Sequence, residues 1–249
     1  MKSEDGQVFL STADHREHYK KLKSLKNSVE NLSGDYWNWP IVASLTRPTL
    51  ARLLNLNFLY DEMMPCSGSI CEFGVHYGGS LATLINLRAI KEPNNYSRHV
   101  YGFDTFEGFK GVTEGKDAEC IEGDFNVAQD YEKILNDILT VQESLSPNNH
   151  IKKFSLIKGD ASETINDWLK ENPHSIISMA IFDMDIYKPT RDVLHAIKDR
   201  FCKGSIIVFD ELNCPHYPGE TEALIEVFGI NTIEVKRSPF LPYNSYVKI

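Results

Sequence analysis

The stretch that decides the fold is ICEFGVHYGGS, residues 70–80. A short apolar run ends at Glu72, and the chain then turns at Gly74 and reaches two adjacent glycines before an apolar helical pattern begins. Glycines let the backbone approach a ligand closely, and the N-terminus of the next helix presents free N–H groups and a positive dipole end. The stretch therefore predicts a strand, a ligand-binding loop and a helix, in that order.

The same rhythm continues along the chain. Short apolar runs at 99–104, 154–160, 178–185 and 204–211 alternate with helical patterns such as 189–201. Such alternation indicates an α/β fold with a mostly parallel sheet and helices on both faces. Two further strand-like pieces, 231–237 and 245–249, predict a hairpin at the sheet edge and bring the sheet to seven strands.

The 249 residues suffice for one large α/β domain. We expect an N-terminal helical arm or cap over 1–65, ending in a helix at 46–64, and a ligand-binding domain over 66–249. Residues 111–150 form a long acidic connection, which predicts a lid-like insertion containing a helix near 129–144.

Composition narrows the class of partner. A net charge of −9 argues against a nucleic-acid partner, which requires basic surface. The sequence contains no window of 18 consecutive apolar residues, so we predict no membrane span. The N-terminus is too polar for a signal peptide. Five cysteines without a CxxC pair favour reduced thiols, so we expect a cytoplasmic protein.

Acids follow four further points where strands end. Asp104 and Asp160 each close a predicted strand, where a cap or turn role is the common alternative to ligand binding. Two more pairs, Asp183 with Asp185 and Asp210 with Glu211, would crowd one rim if their strands are neighbours about 4.8 Å apart. A hard cation such as Mg²⁺ relieves such crowding, whereas Asp185 alone is also suited to capping the next helix.

Five motifs in order carry a resemblance: EFGVHYGGS, YGFDTFEGF, GDASET, FDMDIYKPTRDVL and GSIIVFDE. Together they resemble the macrocin O-methyltransferase family over residues 66–229. The resemblance implies a Rossmann-like class I methyltransferase that uses S-adenosylmethionine and Mg²⁺. Its acceptor would be a hydroxyl of a sugar or glycosylated small molecule, in natural-product or polysaccharide biosynthesis, and the protein would be a homo-oligomer.

The family pattern also implies roles for individual residues. Those around the cofactor would be Glu72, Gly74, Tyr77, Gly78 and Ser80 at the methionine part, Asp104, Thr105 and Phe106 at the ribose, Asp160, Ala161 and Ser162 at the adenine, and Asp183. Asp183, Asp210 and Glu211 would hold Mg²⁺, and Asp185 would be the general base. The family has Asp-Asp where this chain has Asp210-Glu211, and the division of roles between Asp183 and Asp185 stays open.

Other readings of the sequence remain. A catechol-like phenol would suit the same metal arrangement, and a non-catalytic cofactor-binding scaffold would keep the fold. A nicotinamide dehydrogenase is disfavoured because GxGxxG is missing. Three aromatic residues of the arm, Tyr36, Trp37 and Trp39, would stack on the acceptor or pack, and His76 and His216 would be auxiliary bases or hydrogen-bonding residues.

Overall fold

The structure is a computed structural model that describes residues 13–30, 32 and 34–249. Within these residues the helices are α1 (Ala13–Glu30), α2 (Asn38–Ala43), α3 (Arg47–Met63), α4 (Gly79–Lys91), α5 (Tyr131–Ser144), α6 (Ala161–Glu171), α7 (Tyr187–Ile197) and α8 (Gly219–Phe228). The strands are β1 (Ser69–Phe73), β2 (Val100–Asp104), β3 (Phe154–Lys158), β4 (Ile177–Phe182), β5 (Phe201–Phe209), β6 (Val235–Arg237) and β7 (Ser245–Lys248).

The strands form one sheet in the order β3-β2-β1-β4-β5-β7-β6. The first five are parallel, and β7 pairs antiparallel with both β5 and β6. The predicted seven-stranded sheet and its terminal hairpin are confirmed. Chain order reverses between β1 and β4, and ligands of open α/β sheets bind at the carboxyl ends of strands at such a switch point.

Helices cover both faces of the sheet. One core lies between the sheet and α3, α4 and α5, and includes Leu59, Leu84 and Leu139. The other lies between the sheet and α6, α7 and α8, and includes Trp168 and Leu194. Because both faces are covered, β1 and β4 are buried along their whole length and read as continuous apolar runs.

The 111–150 connection divides into two parts. Its second part contains α5, close to the predicted bounds, and Leu135 and Leu139 of α5 are buried in the core. Its first part is an irregular loop anchored by Asp117, whose carboxylate accepts from the backbone N–H groups of Thr113 and Tyr187, both at 2.6 Å. This first part is therefore tied to the start of α7, which follows the carboxyl end of β4.

The N-terminal arm differs along its length, because α3 packs into the core whereas the segment before α3 presents large aromatic residues to solvent. Tyr36, Trp37 and Trp39 are all exposed, so these three residues do not pack in the core. The predictions for the first twelve residues lie outside the described part of the chain. Within that part, no helix has the length and apolar character required to cross a bilayer.

A ladder of phenylalanine rings aligns the strand ends. Phe103, Phe73, Phe182 and Phe209 are partners in register across β2, β1, β4 and β5. Successive ring centroids lie 4.8, 5.1 and 5.3 Å apart. Since each of these rings stands at or next to the end of its strand, the ladder brings Gly74, Asp104, Asp183 and Asp210 to one rim.

Candidate active site

A cavity of about 370 Å³ opens at the switch point between β1 and β4. Ten of the predicted site residues line it: Glu72, Gly74, Tyr77, Ser80, Asp104, Thr105, Asp160, Ala161, Asp183 and Asp185. Most of the predicted site residues therefore lie on the cavity wall. Gly78, Phe106, Ser162, Asp210 and Glu211 are not part of the lining.

Gly74 makes the closest approach between the two central strands. Its φ is +92°, and a Cβ there would lie 1.9 Å from the carbonyl oxygen of Asp183. Its backbone amide donates to Phe103 O at 2.9 Å, while the backbone amide of Asp183 donates to Phe73 O at 2.9 Å. Glycine is required here for the junction of β1 with β4, as well as for access to a ligand.

Asp104 shapes the glycine loop. Its Oδ2 accepts from the amides of Val75 and His76, both at 2.6 Å, and its Oδ1 accepts from Phe106 N at 2.6 Å. His76 is thereby held at a φ of +50°. The predicted ribose contact would have to use the remaining lone pairs of a carboxylate that already binds three amides.

The start of α4 faces the cavity, but its glycines serve different purposes. Gly78 has a φ of +77°, and a Cβ there would lie 2.3 Å from Leu135 of α5, so this glycine permits helix packing. Gly79 has no heavy atom within 4 Å of a Cβ position. The open space beside Gly79 leaves the N-terminal amides of α4 accessible to an anionic group.

Glu72 is a buried acid on the cavity wall. It is 1% exposed, and its Oε2 has no hydrogen-bond partner among the described residues. Burial, followed by the charge of Asp183, raises the pKa of Glu72 well above its usual range. An unpartnered buried carboxyl oxygen beside open helix amides fits the ammonium and carboxylate groups of the methionine part of S-adenosylmethionine.

The predicted adenine side is built on the start of α6. Asp160 is the N-cap and accepts from Ser162 N at 2.8 Å, so the cap alternative is confirmed for this acid. Asp160 and Ala161 still line the cavity. The Ser162 hydroxyl is buried and unpartnered among the described residues, and Phe106 packs into the core.

The two central rim acids share a cation that the sequence did not point to. Arg52 of α3 donates to Asp183 Oδ2 at 3.3 Å and to Asp210 Oδ2 at 3.1 Å. Asp210 Oδ1 accepts from Asn244 Nδ2 at 3.1 Å. Burial and the charge of Asp210 raise the pKa of Asp183 to about 7.

Asp185 sits in the following turn and lines the cavity. It is 9% exposed, and its φ is +61°. Burial, with the charge of Asp183 next, raises the pKa of Asp185 well above its usual range. Asp185 thus places a buried carboxyl group with a raised pKa on the cavity wall, which is where a general base would have to lie.

A fully buried carboxylate holds this turn in place. Glu220, 0% exposed, accepts from Met184 N and Asp185 N at 3.3 Å through Oε1 and from Glu211 N at 3.2 Å through Oε2. One side chain of α8 therefore ties the loop after β4 to the loop after β5. Its role was missed because three backbone amides, and no sequence motif, define it.

Magnesium fits the donor chemistry of this rim, but the carboxylates do not converge. Asp183, Asp210 and Glu211 offer oxygen only, which suits a hard cation, and Glu211 Oε2 is buried without a partner among the described residues. Burial raises the pKa of Glu211 to about 7. No group of three or more His, Cys, Asp or Glu in the described ranges is arranged to hold a metal ion.

Aromatic residues form another part of the cavity wall. Phe109 and Phe125 of the connecting loop line the cavity, with ring centroids 5.1 Å apart. His76 lines it too and lies 6.2 Å from Phe125, whereas His216 does not line it. Tyr77 is 54% exposed at the mouth.

This sheet order, glycine loop and set of strand-end acids define a class I, S-adenosylmethionine-dependent methyltransferase. The chain belongs to the macrocin O-methyltransferase family, whose sequence profile matches residues 3–224. The family predicted from the five motifs is confirmed, and with it the fold and the enzyme class, the S-adenosylmethionine-dependent O-methyltransferases.

Individual relatives agree with the family. The chain is 26% identical over 182 residues to 8-demethyl-8-(2,3-dimethoxy-α-L-rhamnosyl)-tetracenomycin-C 4′-O-methyltransferase of Streptomyces olivaceus. That match covers 70% of this chain and 64% of the relative, less than two thirds of its length.

Two solved structures resemble the whole chain. A calicheamicin methyltransferase is 32% identical with a TM-score of 0.92, over 100% of this chain and 99% of its own. The apo structure of a TDP-rhamnose 3′-O-methyltransferase of calicheamicin biosynthesis is 30% identical with a TM-score of 0.85, over 97% and 96%. The O-methyltransferase NovP, 17% identical with a TM-score of 0.57 over 80% and 79%, shows the fold alone.

Proposed function

We propose that the protein transfers a methyl group from S-adenosylmethionine to a hydroxyl of a sugar carried by a small molecule, in natural-product biosynthesis. The observation that carries the proposal is one cavity lined both by Glu72, with its unpartnered oxygen, and by Asp185, with its raised pKa. The first suits the cofactor's ammonium group and the second suits the acceptor's proton.

The chain's own groups would divide the work as follows. Glu72 and the open amides at the start of α4 would hold the methionine end of the cofactor, which supplies an electrophilic methyl group. Asp185 would accept the hydroxyl proton as the oxygen forms its bond to the methyl carbon and the carbon–sulfur bond breaks. Holding the two reactants in line inside the cavity would supply much of the acceleration.

A sugar acceptor is supported by the relatives and by the wall chemistry. The Streptomyces olivaceus relative is named for a rhamnosyl group and one structural relative for TDP-rhamnose. Phe109 and Phe125 offer flat apolar surfaces on the wall of the same cavity, which is the kind of surface on which a sugar face packs. A catechol-like phenol would use the same surfaces and is the second acceptor to test.

We also propose dependence on Mg²⁺, held by Asp183, Asp210 and Glu211. When bound, the ion would act as a Lewis acid toward the acceptor hydroxyl. Support comes from the oxygen-only donors and from the unpartnered Glu211 Oε2. Two expectations accompany the proposal, a homo-oligomer and a cytoplasmic location, which light scattering and fractionation would measure.

The test is a transfer assay with product identification. The protein would be incubated with S-adenosylmethionine and with a TDP-deoxysugar, a rhamnosylated aromatic polyketide or a catechol, each with Mg²⁺ or with EDTA. Mass spectrometry should show one added methyl on a sugar-containing acceptor and S-adenosylhomocysteine in equal amount. Methylation of catechol alone would favour the phenol reading, and cofactor binding without any transfer would favour a scaffold.

A further inference from the structure

Arg52 lies between two of the acids that would hold a metal ion. Its two terminal nitrogens contact different carboxylates, at 3.3 Å on Asp183 and 3.1 Å on Asp210. The oxygens engaged are the Oδ2 atoms, while Asp210 Oδ1 is held by Asn244. A metal ion that binds both Asp183 and Asp210 would therefore have to displace the guanidinium group of Arg52.

The surrounding charge explains why a cation resides there. Six carboxyl groups gather at this end of the sheet: Glu72, Asp183, Asp185, Asp210, Glu211 and Glu220. In the described part of the chain, Arg52 is the only cationic side chain in ion-pair contact with any of them. An arginine stays charged at every working pH, so it neutralises the rim permanently.

The helix that carries Arg52 is tied to the same acid a second time. Asn55, one turn later on α3, donates to Asn244 Oδ1 at 3.1 Å, and Asn244 donates to Asp210 Oδ1 at 3.1 Å. Asn55 and Asn244 are 2% and 3% exposed, whereas the Arg52 side chain is 49% exposed. The buried amide pair thus fixes α3, while the half-exposed guanidinium has solvent into which it can swing.

From this geometry we propose that Arg52 is a resident counter-cation of the rim that competes with a divalent ion for Asp183 and Asp210. The inference rests on the magnesium part of the proposed function. Binding of a divalent ion releases the Arg52 fork, and the freed guanidinium lies at the cavity wall, where it faces the acceptor. Arg52 is in this account a positioning residue that binds both acids and offsets their mutual repulsion before a metal ion binds.

The test measures metal binding directly, without turnover. Electron paramagnetic resonance titration with Mn²⁺ would compare the unaltered protein with Arg52→Gln, with Arg52→Lys and with Arg47→Gln, a control on the same helix whose side chain is exposed. We expect Arg52→Gln to bind Mn²⁺ at least about tenfold more tightly than the unaltered protein and the control, with Arg52→Lys in between. Thermal unfolding without metal should show Arg52→Gln as the least stable variant, and Mn²⁺ should raise its melting temperature the most.

The outcomes separate the inference from the function on which it rests. Equal or weaker Mn²⁺ binding by Arg52→Gln, with clear binding by the unaltered protein, would overturn the competition and leave the metal proposal standing. Absence of Mn²⁺ binding in all four proteins, each shown to be folded by circular dichroism, would overturn the metal proposal and the competition together. Methyl transfer that proceeds equally in EDTA would then identify an enzyme in which Arg52, without a metal ion, is the cation bound to the rim acids.

Discussion

The Cα of Gly74 packs so closely on the carbonyl oxygen of Asp183 that a Cβ would lie 1.9 Å from it. This contact joins the glycine loop after β1 to the acid loop after β4 at the point where strand order reverses. The glycine loop, which is proposed to bind the cofactor, and the rim acids are therefore parts of one junction, so a change on either side should alter the other.

Replacing Gly74 tests this junction. We expect Gly74→Ala to lower the free energy of unfolding by about 2 kcal/mol or more, because it combines a positive φ with a backbone clash. Gly79→Ala is the matched control, since its Cβ would meet no heavy atom within 4 Å. Denaturant unfolding would measure both, and equal stability of the two variants would contradict the close-contact account.

Asp185 is the proposed base, and its asparagine variant isolates that role. Asparagine tolerates the positive φ of this position, so Asp185→Asn should keep the fold. We expect turnover to fall by about 10²- to 10⁴-fold, with the dissociation constant of S-adenosylmethionine nearly unchanged. Calorimetry and single-turnover kinetics would measure the two quantities, and full activity in this variant would refute the assignment.

Glu220 should affect both stability and kcat although it does not line the cavity. Glu220→Gln would set an amide NH₂ against one of the backbone N–H groups that the carboxylate now binds, at a cost of about 1–3 kcal/mol in stability. We expect a lower kcat than in Glu222→Gln, a control whose side chain is 45% exposed in a surface ion pair with Lys116. Equal kcat values for the two variants would show that Glu220 does not contribute to the geometry of the active site.

The raised pKa of Asp183 predicts an unusual pH dependence of stability in metal-free protein. Its folded pKa is about 7, whereas an unfolded Asp titrates near 4. Between these values the folded state holds a proton that the unfolded state has released, so the free energy of unfolding falls as pH rises through this window. The difference of roughly three pKa units corresponds to at most about 4 kcal/mol over the whole window.

Asp183→Asn provides the comparison for that pH dependence, because asparagine does not titrate. With EDTA present, the unaltered protein should lose more stability than the variant between pH 5 and pH 7.5, as measured by urea unfolding at each pH. Parallel stability curves for the two proteins would show that Asp183 does not take up a proton in this range.

The sequence allowed the rim to be predicted because parallel strands end at the same edge. Each acid at a strand end follows an apolar run, and the register of Phe73, Phe182 and Phe209 places these ends level. The hairpin, the fold and the family followed from the same patterns. Asp160 shows the limit of this reasoning, since one acid both caps α6 and lines the cavity.

What the sequence left out depends on contacts between distant parts of the chain. Arg52 lies 131 residues before Asp183, on a helix whose pattern indicated only packing. Gly78 was assigned to the cofactor, yet its missing Cβ makes room for Leu135 of α5. Asp104 was assigned to the ribose, yet it binds the amides of the neighbouring loop. Each of these three contacts depends on how distant segments of the chain pack together, which the local sequence pattern does not reveal.

One measurement tests the central claim most directly, namely a crystal structure of the protein with S-adenosylhomocysteine. The account predicts the amino group of the ligand within hydrogen-bond distance of Glu72 and its carboxylate at the first amides of α4, with Asp185 facing the open side of the sulfur. A ligand bound elsewhere, or bound at this rim without contacting Glu72, would contradict the account.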